Sequence, residues 1–255
     1  MGLSTLACKF PVEPLKWVLG EDGKMNVQAF IDNISFPMTL EELERFADWF
    51  NVEEILNVDE TEWTAPRWAV EGDIVFFFHA KTAIQKITML ETKLKCEKTE
   101  YSEEDYQRLW KSLQRARELY KSYGGKIFAI GRVSGRTEYD SQEGDEVLHW
   151  ASRFYAPIDR IFVLQQPIDI SEFSDFLPVS TRGAITPVVG SDFDRLKKII
   201  CAKNEIPDYL KKSRAIPLPL QKINPENWLD VTQEYRRLFA LEIQFRRFYV
   251  DYFLK

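Results

Sequence analysis

Two tryptophans, Trp63 and Trp68, stand directly before the apolar run in WTAPRWAVEGDIVFFFHA, residues 63–80. Turn chemistry favours small residues at such a place. Large indoles there either fill a core or form a wall for a flat ligand. A second aromatic cluster, HWASRFYAPIDR at 149–160, sets Trp150, Phe154 and Tyr155 beside Arg153. Rings interleaved with arginine suit stacking of a base combined with contact to its phosphate. His79 ends the first run, where it is either a donor to a base edge or phosphate or a plain strand-end polar residue. Arg132, Arg136 and Arg182 are further candidates for holding phosphates, and each also reads as an ordinary surface arginine.

One pattern points to hydrolysis instead. Asp73 is followed by Glu91-Thr92-Lys93, a carboxylate set that could hold magnesium beside a lysine that orients water. In a chain with 29% charged residues, such a match is expected by chance. The sequence has no H-E-x-x-H, zinc-finger, zinc-deaminase, phosphate-loop or G-x-S-x-G motif. GKIFAIGRVSG has glycines at intervals but does not match the dinucleotide fingerprint. The reading is therefore a binding protein with no catalytic residue, no metal site and no cofactor.

Composition narrows the partners. Acidic residues outnumber basic ones, for a net charge of −6 over 255 residues. Such a chain does not coat nucleic acid nonspecifically, but it can still read a single nucleotide in a pocket. Eighteen Phe, ten Tyr and seven Trp supply both core and stacking surface. Cys8, Cys96 and Cys201 are odd in number and widely spaced, as expected of free thiols in a reducing cytoplasm. Lys9, Pro11 and Glu13 interrupt any signal-peptide core, and the longest apolar run, Ile74 to Phe78, is too short to span a membrane.

These residues need elements to position them. TLEELERFADWF at 39–50 predicts a helix with Thr39 and Glu42 as a capping box and Leu40, Leu43, Phe46 and Phe50 on one face. The continuous apolar run in 73–79 predicts a strand covered on both faces. Residues 103–122 read as a helix stopped by Gly124-Gly125, and 126–133 as a strand in which Gly131 marks a bulge or close backbone approach. Residues 159–170 read as another strand, and Ser191 as the cap of a helix facing inward through Phe193, Leu196, Ile199 and Ile200. The segment 204–228 reads as a connector. Asn224 and Pro225 then open a final helix, with Trp228, Val231, Tyr235, Leu238 and Phe239 on its buried side. Strands mixed with helices without βαβ alternation predict an α+β domain around a small curved sheet or barrel.

Three of these segments, taken in order, resemble the EVE domain, a PUA-like relative of YTH domains. In WTAPRWAVEGDIVFFFHA, a tryptophan region leads through a Gly72-Asp73 turn into an apolar strand ending Phe78-His79. GKIFAIGRVSGRTEYD is similar to the family strand I-x-A-x-G-x-V and its loop, and RIFVLQQPIDISEF to the family's P-I-x-L segment. The closing RGAITPVVGSDFDRLKKII is similar to the family's last helix, so the resemblance spans about residues 60–202. Phe78 stands where the family has tyrosine. The resemblance places an EVE domain at 60–202, from which a helical insertion at 81–124 and the first 50 residues depart; the expected organisation is a helical extension at 1–59 packed on the core, that domain, and a connector and helix at 203–255.

It also implies a pocket for a modified base, in the first place a methylated one, flipped from its stack, on DNA rather than RNA. Trp63, Trp68, Phe78, His79, Trp150 and Tyr155 would line the pocket, with Arg132, Arg136, Arg153 and Arg182 on phosphates. Such domains serve as sensors in modification-dependent restriction and defence proteins. Two other readings remain: an assembly module in which the final helix binds a partner or leads into a further domain, and the magnesium nuclease on Asp73, Glu91 and Lys93.

Overall fold

The protein is described by a computed structural model at residues 25–139, 154–180 and 184–215. All of these lie in one compact unit, Met1–Pro217; a second unit, Leu218–Lys255, lies outside the described residues, and with it the expected final helix.

The apolar runs dictate the centre of the sheet. Strand β4 (Ile74–His79) is buried along its whole length. Alternate residues serve two cores, Phe76 and Phe78 in one and Val75 and Phe77 in the other, as the two-residue strand period requires. It pairs with β5 (Lys126–Val133), which pairs with the long β7 (Phe154–Asp169). The three runs thus share one sheet, as expected. The other members are β2 (Ala29–Ile34), β3 (Thr61–Thr64), the two-residue β6 (Glu138–Tyr139) and β8 (Ile185–Val188). The order is β3-β7-β5-β4-β2-β8, with β6 also on β7. A separate small sheet joins β1 (Met25–Val27) in parallel to β9 (Ser213–Ala215).

Two segments differ from their reading. Residues 29–34, placed in a helical extension, form a strand inside the sheet between β4 and β8. AFIDNI hides this because a carboxylate breaks its apolar run. The stretch read as a connector also folds: α6 (Asp208–Lys211) leads into β9, and the Tyr209 hydroxyl donates to the carbonyls of Ile130 and Arg160.

The helix expected over 39–50 is shorter, α1 (Leu40–Phe46), and Phe50 precedes a separate second helix, α2 (Asn51–Asn57). Thr39 caps α1 by accepting from the Glu42 N–H, while Glu42 reaches back to the Met38 N–H. Glu53 then accepts from the Phe50 N–H and starts the second helix, satisfying a donor that would otherwise be orphaned. α3 (Ala83–Cys96) and α4 (Glu103–Tyr123) pair and pack with α1 through Leu43, Ile87, Leu90, Leu109 and Leu113. α5 (Gly190–Lys203) starts one residue before Ser191 and covers the other face of the sheet with Phe193, Leu196 and Ile200. No helix among the described residues is long and apolar enough to cross a membrane.

Gly131 has the role its position predicts. A Cβ there would sit 2.5 Å from Ile158 Cγ2 and 3.0 Å from Val75 Cγ1, and the register between β5 and β7 shifts at this point. Across the shift, Arg160 takes a left-handed φ of 51°, the geometry of a β-bulge that bends its strand. Gly131→Ala should cost about 1–3 kcal/mol by overpacking. Chemical denaturation measures it, and an unchanged midpoint would show that Ile158 yields without strain.

Candidate nucleic-acid interface

The sheet's curl creates the site. β2 lies four places from β3 in the strand order, and at ~4.8 Å per strand a flat sheet would hold them roughly 19 Å apart. Yet the Trp63 indole N–H on β3 donates to Asp32 Oδ2 on β2. The Thr64 hydroxyl donates to the same oxygen at 3.1 Å. Only a sheet rolled into a half-barrel allows this, so the concave side holds Phe30, Trp63, Val75, Phe77 and Val133, with Val52 and Ile55 of α2 packed against them. A seam across the concave side, between β3 and β2, is bridged by Trp63, Thr64 and Asp32, with β8 lying beyond β2.

Asp32 is 3% exposed. Burial pushes its carboxyl from 3.8 up to about 7, against the bonds from Trp63, Thr64 and the Asn33 backbone, which favour the charged form. It therefore changes charge near neutrality. The other buried or ion-paired aspartates are held differently. Asp73 accepts from the backbone N–H groups of Gln28 (2.8 Å) and Val70 (2.9 Å), fixing the turn before β4. Asp159 takes a two-pronged bond from Arg132 at 2.9 and 2.6 Å.

The predicted site residues divide between the faces. Trp63 and Trp68 do share the concave side, but not as two parallel walls. Trp63 is 8% exposed and edge-on to Phe77, and Trp68 is half-buried and edge-on to Phe30. Phe78 points to the opposite face, against Phe173, because one step along a strand reverses the side chain. Tyr155 also faces away from Trp63. Its neighbour Ala156 lies opposite Trp63 in register and joins the concave core, while Tyr155 borders an outer hollow with Glu62, Glu138 and Tyr139.

His79 is 2% exposed, with Nδ1 3.3 Å from the Ile34 carbonyl and its ring edge-on to Tyr120. Burial lowers it from 6.5 to about 4, opposed by the Ile34 contact. It is a buried group that lines an apolar cavity together with Phe36, Phe50 and Leu119, away from Trp63 and Trp68. Arg132 is committed to Asp159, and Arg136 is exposed. Trp150, Arg153 and Arg182 lie outside the described residues.

The nuclease set does not converge. Asp73 serves the turn, Glu91 receives both prongs of Arg117 at 2.9 and 2.6 Å, and Lys93 lies 3.8 Å from Glu97. No group of three or more His, Cys, Asp or Glu side chains gathers as a metal set among the described residues.

Asp32 and Thr64 escaped the sequence reading. The available signal was a single acid at the centre of AFIDNI, since a charge inside an apolar strand must find partners.

No protein-family model matches the chain, and no curated protein does. Among solved structures, the human THYN1 protein, determined in complex with DNA containing 5-methylcytosine, is 11% identical, with 71% of this chain and 99% of that one covered and a TM-score of 0.39. Protein Atu2648 from Agrobacterium tumefaciens is 16% identical, with 71% and 100% covered and a TM-score of 0.35. Rpa0253 from Rhodopseudomonas palustris is 12% identical, with 70% and 93% covered and a TM-score of 0.34. Scores this low leave family and ligand to be argued from this chain's own residues.

Proposed function

We propose that the protein is an EVE-type, non-enzymatic module that binds nucleic acid by taking one modified base, flipped from its stack, into the seam of its half-barrel. The observation that carries this reading is the buried Asp32 carboxyl held by Trp63 and Thr64 from the opposite edge of the sheet. It sets a polar group that can pair with a base edge beside indole rings, with Trp68 on the same side. The order of the EVE-like segments in the sequence supports the same reading. A methylated base, carried on DNA, is the expected ligand. The expected setting is the sensor part of a modification-dependent restriction or defence protein in the cytoplasm.

The test is a titration of single-stranded and duplex oligonucleotides that differ only at one central base, plain or modified. The modified base should bind at least about fivefold more tightly, the effect of roughly 1 kcal/mol from one buried methyl. Equal affinity across the set would overturn the reading.

Salt dependence should be shallow. The chain is acidic, and the Arg132 guanidinium is engaged by Asp159. The slope of log affinity against log salt should lie at about −2 to −4, for a few phosphate contacts. A slope near about −10 would describe a protein that wraps the backbone and would contradict binding centred on one base.

A further inference from the structure

We infer that Asp32 reads the edge of the bound base, selecting one that presents an amino group over one that presents a carbonyl at the same ring position. This rests on the base-binding reading above. The first ground is where the donors come from. Asp32 belongs to β2, but its side-chain partners arrive from β3, four places away in the strand order, so these bonds span the concave side rather than a neighbouring ladder.

The second ground is the kind of donor. Asp159 is neutralised by an arginine, and Asp73 is held by the backbone N–H groups of Val70 in its own turn and of Gln28 before β2. Asp32 is held by an indole and a hydroxyl, neutral donors on side chains, and no cation contributes to its electrostatics. A carboxylate buried among neutral donors can exchange one N–H for another without ever standing unpaired, which keeps the exchange inexpensive. The third ground is geometric. Both side-chain bonds end on Oδ2, and Oδ1 takes neither of them.

A carboxylate accepts hydrogen bonds and cannot donate them. An exocyclic amino group of the cytosine type therefore meets it favourably. A carbonyl in the same place sets lone pairs against lone pairs. Protonation changes the rule, because a carboxylic acid can donate to that carbonyl. The titration of Asp32 near neutrality, caused first by its burial, puts this change within reach of an ordinary pH series.

5-Methylcytosine and thymine are the probes, since both carry the same methyl group and differ at the amino or carbonyl edge. The 255-residue protein is titrated with short single strands carrying one of them, or plain cytosine, at a central position. At pH 8.5, 5-methylcytosine should bind about 5- to 150-fold more tightly than thymine, and the gap should narrow at pH 5.5. In Asp32→Asn, whose amide can donate to a carbonyl, the preference should shrink to near unity.

Equal binding of 5-methylcytosine and thymine by the wild type at pH 8.5, both tighter than plain cytosine, would overturn the edge-reading role and keep the base-binding reading. The wild-type pH series decides this even if the variant does not fold. A variant that weakens both ligands by the same factor would show that Asp32 only holds Trp63 in place, which also overturns it. No preference of the wild type for either methylated probe over plain cytosine would overturn the base-binding reading itself.

Discussion

Asp32→Asn should gain about 4 kcal/mol of stability relative to wild type as the pH rises from 4 to 7, and hold that gain above pH 7. In the folded protein the carboxyl titrates at about 7 rather than 3.8 because it is buried, and each pH unit of that displacement corresponds to ~1.4 kcal/mol. A group whose pKa is raised by folding binds its proton more tightly in the folded state. Its stabilising contribution is complete below pH 4 and is lost as the pH climbs through 7. Asparagine has no proton to lose and keeps a carbonyl oxygen for Trp63 and Thr64. Urea unfolding of both proteins across this range measures the difference. A gap independent of pH would mean that Asp32 is solvated in the folded protein.

His79 works in the opposite sense. Its pKa falls from 6.5 to about 4 on burial, so its contribution is complete above pH 6.5 and is lost on acidification toward 4, about 3 kcal/mol in all. Between pH 4 and 6.5 the two slopes cancel. Wild type should therefore be nearly flat there as far as these groups go, and removal of either one exposes the slope of the other.

Trp63→Ala should cost about 3–5 kcal/mol, the usual range for truncating a buried aromatic ring. The indole is 8% exposed and packs edge-on to Phe77, and its loss also takes a donor from the buried Asp32. Trp63→Phe keeps most of the ring and loses the N–H, so it should cost about 1–3 kcal/mol, the penalty of a buried acceptor deprived of its partner. Trp68→Ala should cost less than Trp63→Ala, since that ring is half-buried. Thermal melting of the three variants gives the order. A small loss at Trp63 equal to that at Trp68 would show two exposed walls rather than one lumen residue and one rim residue.

The strands around β4 were legible because runs such as IVFFFH leave no alternative to burial on both faces. Gly131 was legible because a glycine in such a run has few other uses. The 103–122 helix was legible from the Gly124-Gly125 stop that follows it. The face of each site residue was harder to read. Trp63, Phe78 and Tyr155 all sit in aromatic-rich sequence, but strand parity sends Phe78 and Tyr155 away from Trp63. A one-residue change of register would have reversed that, and sequence alone does not fix register. The seam was hidden for a different reason. Its acid is supplied by a strand that the apolar pattern failed to mark, and its donors by β3, four places away in the sheet.

The place of β2 in the sheet also governs when the fold can be completed. One of its neighbours, β8, is made only near the far end of the described chain, and β1 likewise waits for β9. The α3–α4 pair joins segments that follow closely in sequence and can assemble first. Closing the sheet is a late event of high contact order, slower than the assembly of the helices. During synthesis β2 must carry an unpaired edge until residues 185–188 have emerged, and an exposed edge is a template for association with other chains. A chain stopped short of β8 would keep that edge of β2 for good, whereas in the finished sheet the open edge passes to the four-residue β8.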